Sequence, residues 1–238
     1  MSIPGLSAWL TTAQGRYVLD CEQARIDAAV SDVFGFNALQ LGLPQIDFLR
    51  ANRIPLRQRA GESGPVDVLC NLDALPFAAH STDLVVLPHV LEFHHDPHQI
   101  LREIERILIP EGQLIILGFN PISLWGLKSR VGRTGDFPWN GSYISLLRLR
   151  DWLKLLGFEV DRSTFGCCVP PCNQEQWLRR WHFMEAAGER WWGLPGGLYI
   201  LRAIKRVHGM RLITPKWKTA PVGAKALRPI AQKESNDR

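Results

Sequence analysis

A chain of 238 residues, 46% hydrophobic and 21% charged, is long enough for one α/β domain with a sizeable core and too apolar to be disordered throughout. No apolar run is long enough to span a bilayer, and Met1-Ser2-Ile3-Pro4-Gly5-Leu6 lacks the basic start and apolar stretch of a secretion signal. The expectation is a cytoplasmic protein without a membrane partner. The net charge of +5 is uneven: residues 206–238 hold eight Lys or Arg against two acids, while the remainder has 20 basic and 21 acidic residues.

Residues 1–37 read as a helical lead-in, with Ala24, Ile26, Ala28, Ala29, Val30 and Val33 in a helix-compatible stretch. A domain over 38–207 follows, and its clearest unit lies within 67–118. Asp83-Leu84-Val85-Val86-Leu87 suits a strand buried on both faces. Asp96-Pro97-His98-Gln99 reads as a helix start, with Asp96 at the N-cap, Pro97 where its missing donor costs nothing, and Gln99 placed to close a capping box. Ile100, Leu101, Ile104, Ile107 and Leu108 share one face of that helix, and Arg102, Glu103, Glu105 and Arg106 the other. Pro110-Glu111-Gly112 stops it, and Leu114-Ile115-Ile116-Leu117 supplies the next strand, giving a right-handed βαβ unit. Beyond residue 119 come an irregular segment, a helix, a strand, a Trp-rich stretch at 174–192 and a closing strand. Residues 208–238 carry Pro215, Pro221 and Pro229 with little apolar periodicity, which predicts a basic, disordered tail.

The five cysteines, Cys21, Cys70, Cys167, Cys168 and Cys172, are odd in number and irregularly spaced. Buried thiols near Pro170-Pro171 are expected, not a disulfide framework or a zinc site.

Three segments carry a resemblance in the right order and spacing. They are Asn71-Leu72-Asp73-Ala74-Leu75-Pro76-Phe77, then Ser81-Thr82-Asp83-Leu84-Val85-Val86, then the run from Leu101 to Gly112 with Arg106-Ile107-Leu108-Ile109-Pro110-Glu111-Gly112 at its end. These are similar to the class I S-adenosylmethionine-dependent methyltransferase family, in particular its type 11 methyltransferase domain. Leu149 to Val160 resembles the family's late helix and strand, and Gly197 to Arg206 its closing antiparallel strand. The whole chain, with Gly118-Phe119-Asn120-Pro121-Ile122-Ser123, also resembles the bacterial YafS-like group. The resemblance implies a Rossmann-like fold: a mostly parallel sheet with flanking helices and an antiparallel closing strand. It also implies S-adenosylmethionine as cofactor and a methyl acceptor as partner.

The family's cofactor contacts fall on particular positions here. Asp73 would accept the exocyclic amine of adenine, with Ala74 and Leu75 walling the ring, and Pro88 lies just past the fourth strand at the edge where open α/β sheets bind ligands. The glycine-rich first motif corresponds to Ala38–Ile46, where only Gly42 remains. Gln40 stands for the acid, Pro44 and Ile46 for later glycines, and Gln40, Gly42 and Leu43 are the candidate contacts of this loop. Pro44 fixes φ and removes a donor, and Ile46 adds a β-branched side chain beside the cofactor's amino-acid end. The span from Gly42 to Asp73 is short, Arg57–Glu62 holds the second strand, and Glu62 is the candidate ribose acid, with no helix following.

His89, His94, His95 and His98 crowd one region. His89 is the candidate general base, because an unperturbed imidazole titrates where such chemistry runs. His94 and His98 are four apart, but the helix start at Asp96-Pro97 falls between them, so no metal site is expected. Trp177, Trp181 and Met184 recur at helical spacing, which fits a covering helix, a substrate lid or a base-stacking surface. Two functions stay open at this level. One is a methyltransferase; the other is a catalytically inactive binding protein on the same scaffold, whose basic tail contacts RNA or another anion.

Overall fold

The computed structural model describes residues 5–131, 138–167 and 196–207. The Trp-rich stretch, the segment 208–238, Cys168 and Cys172 lie outside these. Two helices lead in, α1 (Leu6–Leu10) and α2 (Ala13–Val30), and the Thr12 hydroxyl accepts the Gly15 amide at the N-terminus of α2 at 3.0 Å. Among the described residues seven strands follow: β1 (Asn37–Leu41), β2 (Leu56–Gly61), β3 (Val68–Leu69), β4 (Thr82–Pro88), β5 (Leu108–Phe119), β6 (Phe158–Gly166) and β7 (Leu198–Lys205). Helices α3 (Val90–Phe93) and α4 (Pro97–Ile107) separate β4 from β5, and α5 (Leu124–Val131) and α6 (Leu146–Leu155) separate β5 from β6.

The strands form one sheet in the order β3-β2-β1-β4-β5-β7-β6. The pairs β1–β2, β1–β4, β2–β3 and β4–β5 are parallel, and β7 runs antiparallel to both of its neighbours. Both faces of the sheet are covered, which is why its central strands read as unbroken apolar runs. Leu39, Leu41, Val85, Leu87, Leu114 and Ile116 point to one face, against α4 and α6. Ala38, Leu84, Val86, Ile115 and Leu117 point to the other, against Val18, Ile26 and Val30 of α2.

The expected βαβ unit is β4–α4–β5. The Asp96 carboxylate accepts the Gln99 amide at 3.0 Å with Pro97 beside it, and Ile100, Leu101, Ile104 and Ile107 are fully buried. The capping box is not closed as expected. Gln99 turns away and donates its side-chain N–H to the Asp73 carbonyl at 3.0 Å, fastening the helix to the neighbouring loop.

The β1–β2–β3 half is built without crossover helices. Residues 42–55 form turns, and Leu43, Ile46, Phe48 and Leu49 supply the apolar cover a helix would give. Among the described residues no helix is long and apolar enough to cross a membrane.

The start of β1 is pinned by Asp83 of β4. Its carboxylate accepts the Phe36 and Asn37 amides, both at 2.9 Å, and Gly35 packs directly on it. Asp83→Ala is expected to cost about 2 kcal/mol, because two amides lose a charged acceptor at once. Thermal unfolding checks this through a fall in Tm of about 4–8 °C.

Candidate active site at the carboxyl edge of the sheet

The carboxyl ends of β1, β2, β3, β4 and β5 lie at one edge, where an open α/β sheet binds its ligands. Two left-handed non-glycine residues lie there. Gly42 has φ 82°, and the non-glycine residues Leu43 and His89 have φ 44° and 53°. Such residues keep this conformation only where their surroundings enforce it. A Cβ on Gly42 would stand 2.5 Å from a Val90 methyl group, so β1's exit and the start of α3 touch at this glycine.

Gln40 explains how a loop without its glycines closes. The side chain is fully buried. Its Nε2 donates to the carbonyls of Gly42 and Leu43, both at 3.1 Å, and of Ile46 at 2.8 Å, and its Oε1 accepts the Phe48 amide at 3.0 Å. Three acceptors on one side and one donor on the other fix the amide's orientation. The loop therefore turns carbonyl oxygens inward, where a carboxylate would meet repulsion. The Gly42 amide is engaged as well, donating to the Ala60 carbonyl at 3.0 Å. Pro44 and Ile46, which the sequence reading sets against the cofactor's amino-acid end, are both buried.

Asp73 stands at the far side of the edge, its side chain about one-quarter exposed. Its Oδ1 is buried without a hydrogen-bond partner, 3.6 Å from the His94 Nε2, and its Oδ2 is 3.5 Å from the His95 Nε2. These three donors converge within 4.8 Å. His94 takes the Asp96 N–H on its Nδ1 at 3.2 Å, which puts the ring proton on Nε2, facing Asp73. His94 is thereby a donor toward Asp73, and a metal would have to displace that proton. His94 and His98, four apart in sequence but separated by the helix start, face different neighbours: His98 lies against Trp152, ring centroids 3.9 Å apart.

Ala74 and Leu75 flank Asp73 as the sequence reading requires, but their amides are occupied. Ala74 donates to the Asn71 carbonyl at 3.3 Å and Leu75 to the Glu103 carboxylate at 2.9 Å. Arg106 binds the carbonyls of Leu75 and Phe77, each at 2.9 Å, and pairs with Glu103 at 2.8 Å. Glu103 and Arg106, expected on the polar face of α4, thus brace the Asp73 loop. Glu62 follows the last residue of β2 and is exposed at the same edge. Pro88 closes β4, buried beside Leu117 of β5.

His89 sits at the centre. Its Nε2 is 2.7 Å from the Glu22 carboxylate of α2, and its Nδ1 is 2.8 Å from Glu92 of α3. Glu92 also accepts the Phe119 amide at the end of β5, and the Phe119 ring lies 4.4 Å from the imidazole. Burial alone would depress the His89 pKa, but attraction and hydrogen bonds from Glu22 and Glu92 outweigh it and push it up to about 10. Burial pushes Glu92 up against the pull of His89, and burial and the nearby Glu92 raise both Tyr143 and Tyr199. At neutral pH His89 is an imidazolium held between two carboxylates, with no lone pair for an incoming proton. Glu22 is the residue that sequence reading missed. It lies in the lead-in, and its one signal was an acid on the buried face of a helix, at i+4 from Val18 and i−4 from Ile26.

The strand order, the antiparallel β7 and the edge just described define a class I methyltransferase fold. Residues 43–116 match the family model described as a methyltransferase domain. The chain thus carries a methyltransferase-domain match on the fold of the class I S-adenosylmethionine-dependent methyltransferases. It is 29% identical to the uncharacterized protein YafS of Escherichia coli (strain K12) over 97% of this chain and 87% of that protein. It is 35% identical to the ubiquinone/menaquinone biosynthesis C-methyltransferase of Xanthomonas oryzae pv. oryzae (strain MAFF 311018), over 52% of this chain and 53% of that enzyme. Among solved structures, an S-adenosylmethionine-dependent methyltransferase from Thermotoga maritima superposes with TM-score 0.60 at 18% identity, covering 84% of this chain and 94% of that one. The geranyl diphosphate C-methyltransferase of Streptomyces coelicolor A3(2), solved with S-adenosyl-L-homocysteine, superposes with TM-score 0.54 at 14% identity over 78% of each chain.

Two outcomes follow from this geometry. Gln40→Glu is expected to destabilise the fold by about 3 kcal/mol or more, since it buries a charge against three carbonyls, whereas Gln40→Met removes the staple without adding charge and costs less. Chemical denaturation of both variants reads the ordering. The second concerns pH. His89 is raised from 6.5 to about 10 on folding, so its contribution to stability is full below pH 6.5 and is lost as pH rises toward 10. Tm of the native chain is expected to fall across that window, and His89→Gln, lower in Tm by about 10 °C at pH 6.5, is expected to flatten the decline.

Proposed function

We propose that the chain transfers the methyl group of S-adenosylmethionine to an acceptor bound at the carboxyl edge near the ends of β4 and β5. The observation that carries this reading is the Asp73 carboxylate, whose Oδ1 has no donor nearer than the His94 Nε2 at 3.6 Å, at the edge of a sheet with the family's strand order. That oxygen suits the exocyclic amine of adenine, and Leu75, buried beside it, supplies an apolar wall. Glu62, exposed just past the end of β2, is the acid this reading assigns to the ribose hydroxyls. Gly42 and Leu43 form the loop facing the cofactor's amino-acid end, and Gln40 acts behind them as scaffold and makes no contact of its own.

The cofactor supplies an already activated sulfonium methyl group, so what the chain must do is align the acceptor and exclude water. His89, Glu22 and Glu92 contribute by fixing α2, α3 and the end of β5 to one another. The general-base role expected of His89 gives way to this positioning role, because both ring nitrogens are committed. A non-catalytic binding protein is the less favoured reading. Contact with RNA through the basic segment draws support from neither the fold nor the relatives.

Calorimetry with S-adenosylmethionine and S-adenosylhomocysteine is the test. Both are expected to bind the native chain, and Asp73→Ala to weaken them about tenfold or more. A folded native chain that releases no heat with either ligand would sink the reading.

A further inference from the structure

Helix α2 has a second face. Gln14, Val18, Glu22, Ile26 and Val30 are buried on the sheet side. Tyr17, Cys21, Ala24, Arg25, Ala28 and Ala29 recur at helical spacing on another side, and there they wall a cavity of about 690 Å³. Its floor is the outer pair of strands. Arg162 and Thr164 of β6 lie directly opposite Arg202 and Ile200 of β7, so four side chains form one cross-strand patch. The volume is that of a small-molecule site.

The charges are arranged along the slot. Arg202 is paired with two acids, Asp32 at 2.9 Å and Asp161 at 3.5 Å. Arg25 crosses from α2 onto β6 and lies close over Gly166, where a Cβ would fall 2.4 Å from its Nε. Arg162 is exposed and has no hydrogen bond or ion pair among the described residues. The one acid in the lining, Asp20, lies about 15 Å along α2 before its end at Val30, and Asp32 stands just past that end. Asp32 marks the Arg202 end of the slot, so Arg162, opposite Arg202, stands remote from Asp20. Between the two ends run Ala24, Ala28 and Ile200.

We propose that this slot binds a small amphipathic anion, with its head on Arg162 and its apolar body along Ala24, Ala28 and Ile200. Arg162, exposed and without an ion pair among the described residues, sets the polarity: an anionic head gains a charge-assisted bond there, which a neutral hydroxyl does not. The site lies across α2 from His89 and does not depend on methyl transfer.

Calorimetry of the full chain with decanoate, decyl phosphate and decanol, each kept below its aggregation limit, tests this. Decanoate or decyl phosphate is expected to bind one-to-one, and the stronger of the two identifies the head group as carboxylate or phosphate. Decanol is expected to bind about tenfold more weakly than the better anion, and Arg162→Gln to weaken that anion by a similar factor. Ala28→Trp fills the slot from an exposed helical position and is expected to abolish binding, and Thr164→Trp does the same from the strand side, should the first variant not fold. Decanol binding as tightly as the anions, anion binding that survives both tryptophan variants, or no anion binding by the native chain would each overturn the proposal.

Discussion

The imidazolium of His89 between Glu22 and Glu92 is the interaction on which the carboxyl edge depends. It joins four elements by one buried charge network: α2 through Glu22, the end of β4 through His89 itself, α3 through Glu92, and the end of β5 through the Phe119 amide. Two buried carboxylates would be ruinous without a cation between them, and a buried imidazolium would lose its proton without the carboxylates. The network is therefore stable only as a whole. It holds His89 in a left-handed backbone conformation that a histidine would otherwise leave. That conformation swings the chain from β4 into α3 and brings Val90 against Gly42.

Gln40 solves a related problem by the opposite means. A loop that has lost its glycines must still turn back over the sheet, and its carbonyls must find donors in a dry interior. An uncharged amide offers donors on one side and an acceptor on the other, and it satisfies three carbonyls and one N–H from a single side chain. Leu43, Ile46, Phe48 and Leu49 then fill the volume a crossover helix would occupy. The two sides of the edge differ in consequence. Beneath the loop every polar atom of Gln40 is satisfied inside the protein, whereas at Asp73 one buried carboxylate oxygen has no donor nearer than the His94 Nε2 at 3.6 Å.

Much of the fold was legible in the residues because it follows from periodicity. The β4–α4–β5 unit showed in an apolar run, a capped helix with one apolar face and a second run, and the resemblance supplied β7's direction. The site was less legible, since its contacts join residues far apart in sequence. Glu22 and His89 are separated by 67 positions, and no spacing rule connects them. His94 and His98 shared a helical interval, yet an intervening helix start sent one to Asp73 and the other to Trp152. Glu103 and Arg106 looked like a solvated face because a helical wheel shows which residues avoid the core, not which loop they meet. Gln40 read as a lost acid, and only the fold shows three carbonyls converging on it.

The same limit explains the weak amphipathic pattern of α2. A surface helix normally divides into one apolar and one polar face. Here the sheet-facing side carries Gln14 and Glu22, one of them spent on His89, and the other side carries Cys21, Ala24, Ala28 and Ala29 along a cavity. A charge inside and small apolar side chains outside blur the contrast that periodicity detects. The lead-in is accordingly no appendage to the sheet. Its inner face completes the charge network at the edge, and its outer face forms a wall of the slot over β6 and β7, so a shift of α2 along its axis would be felt by both.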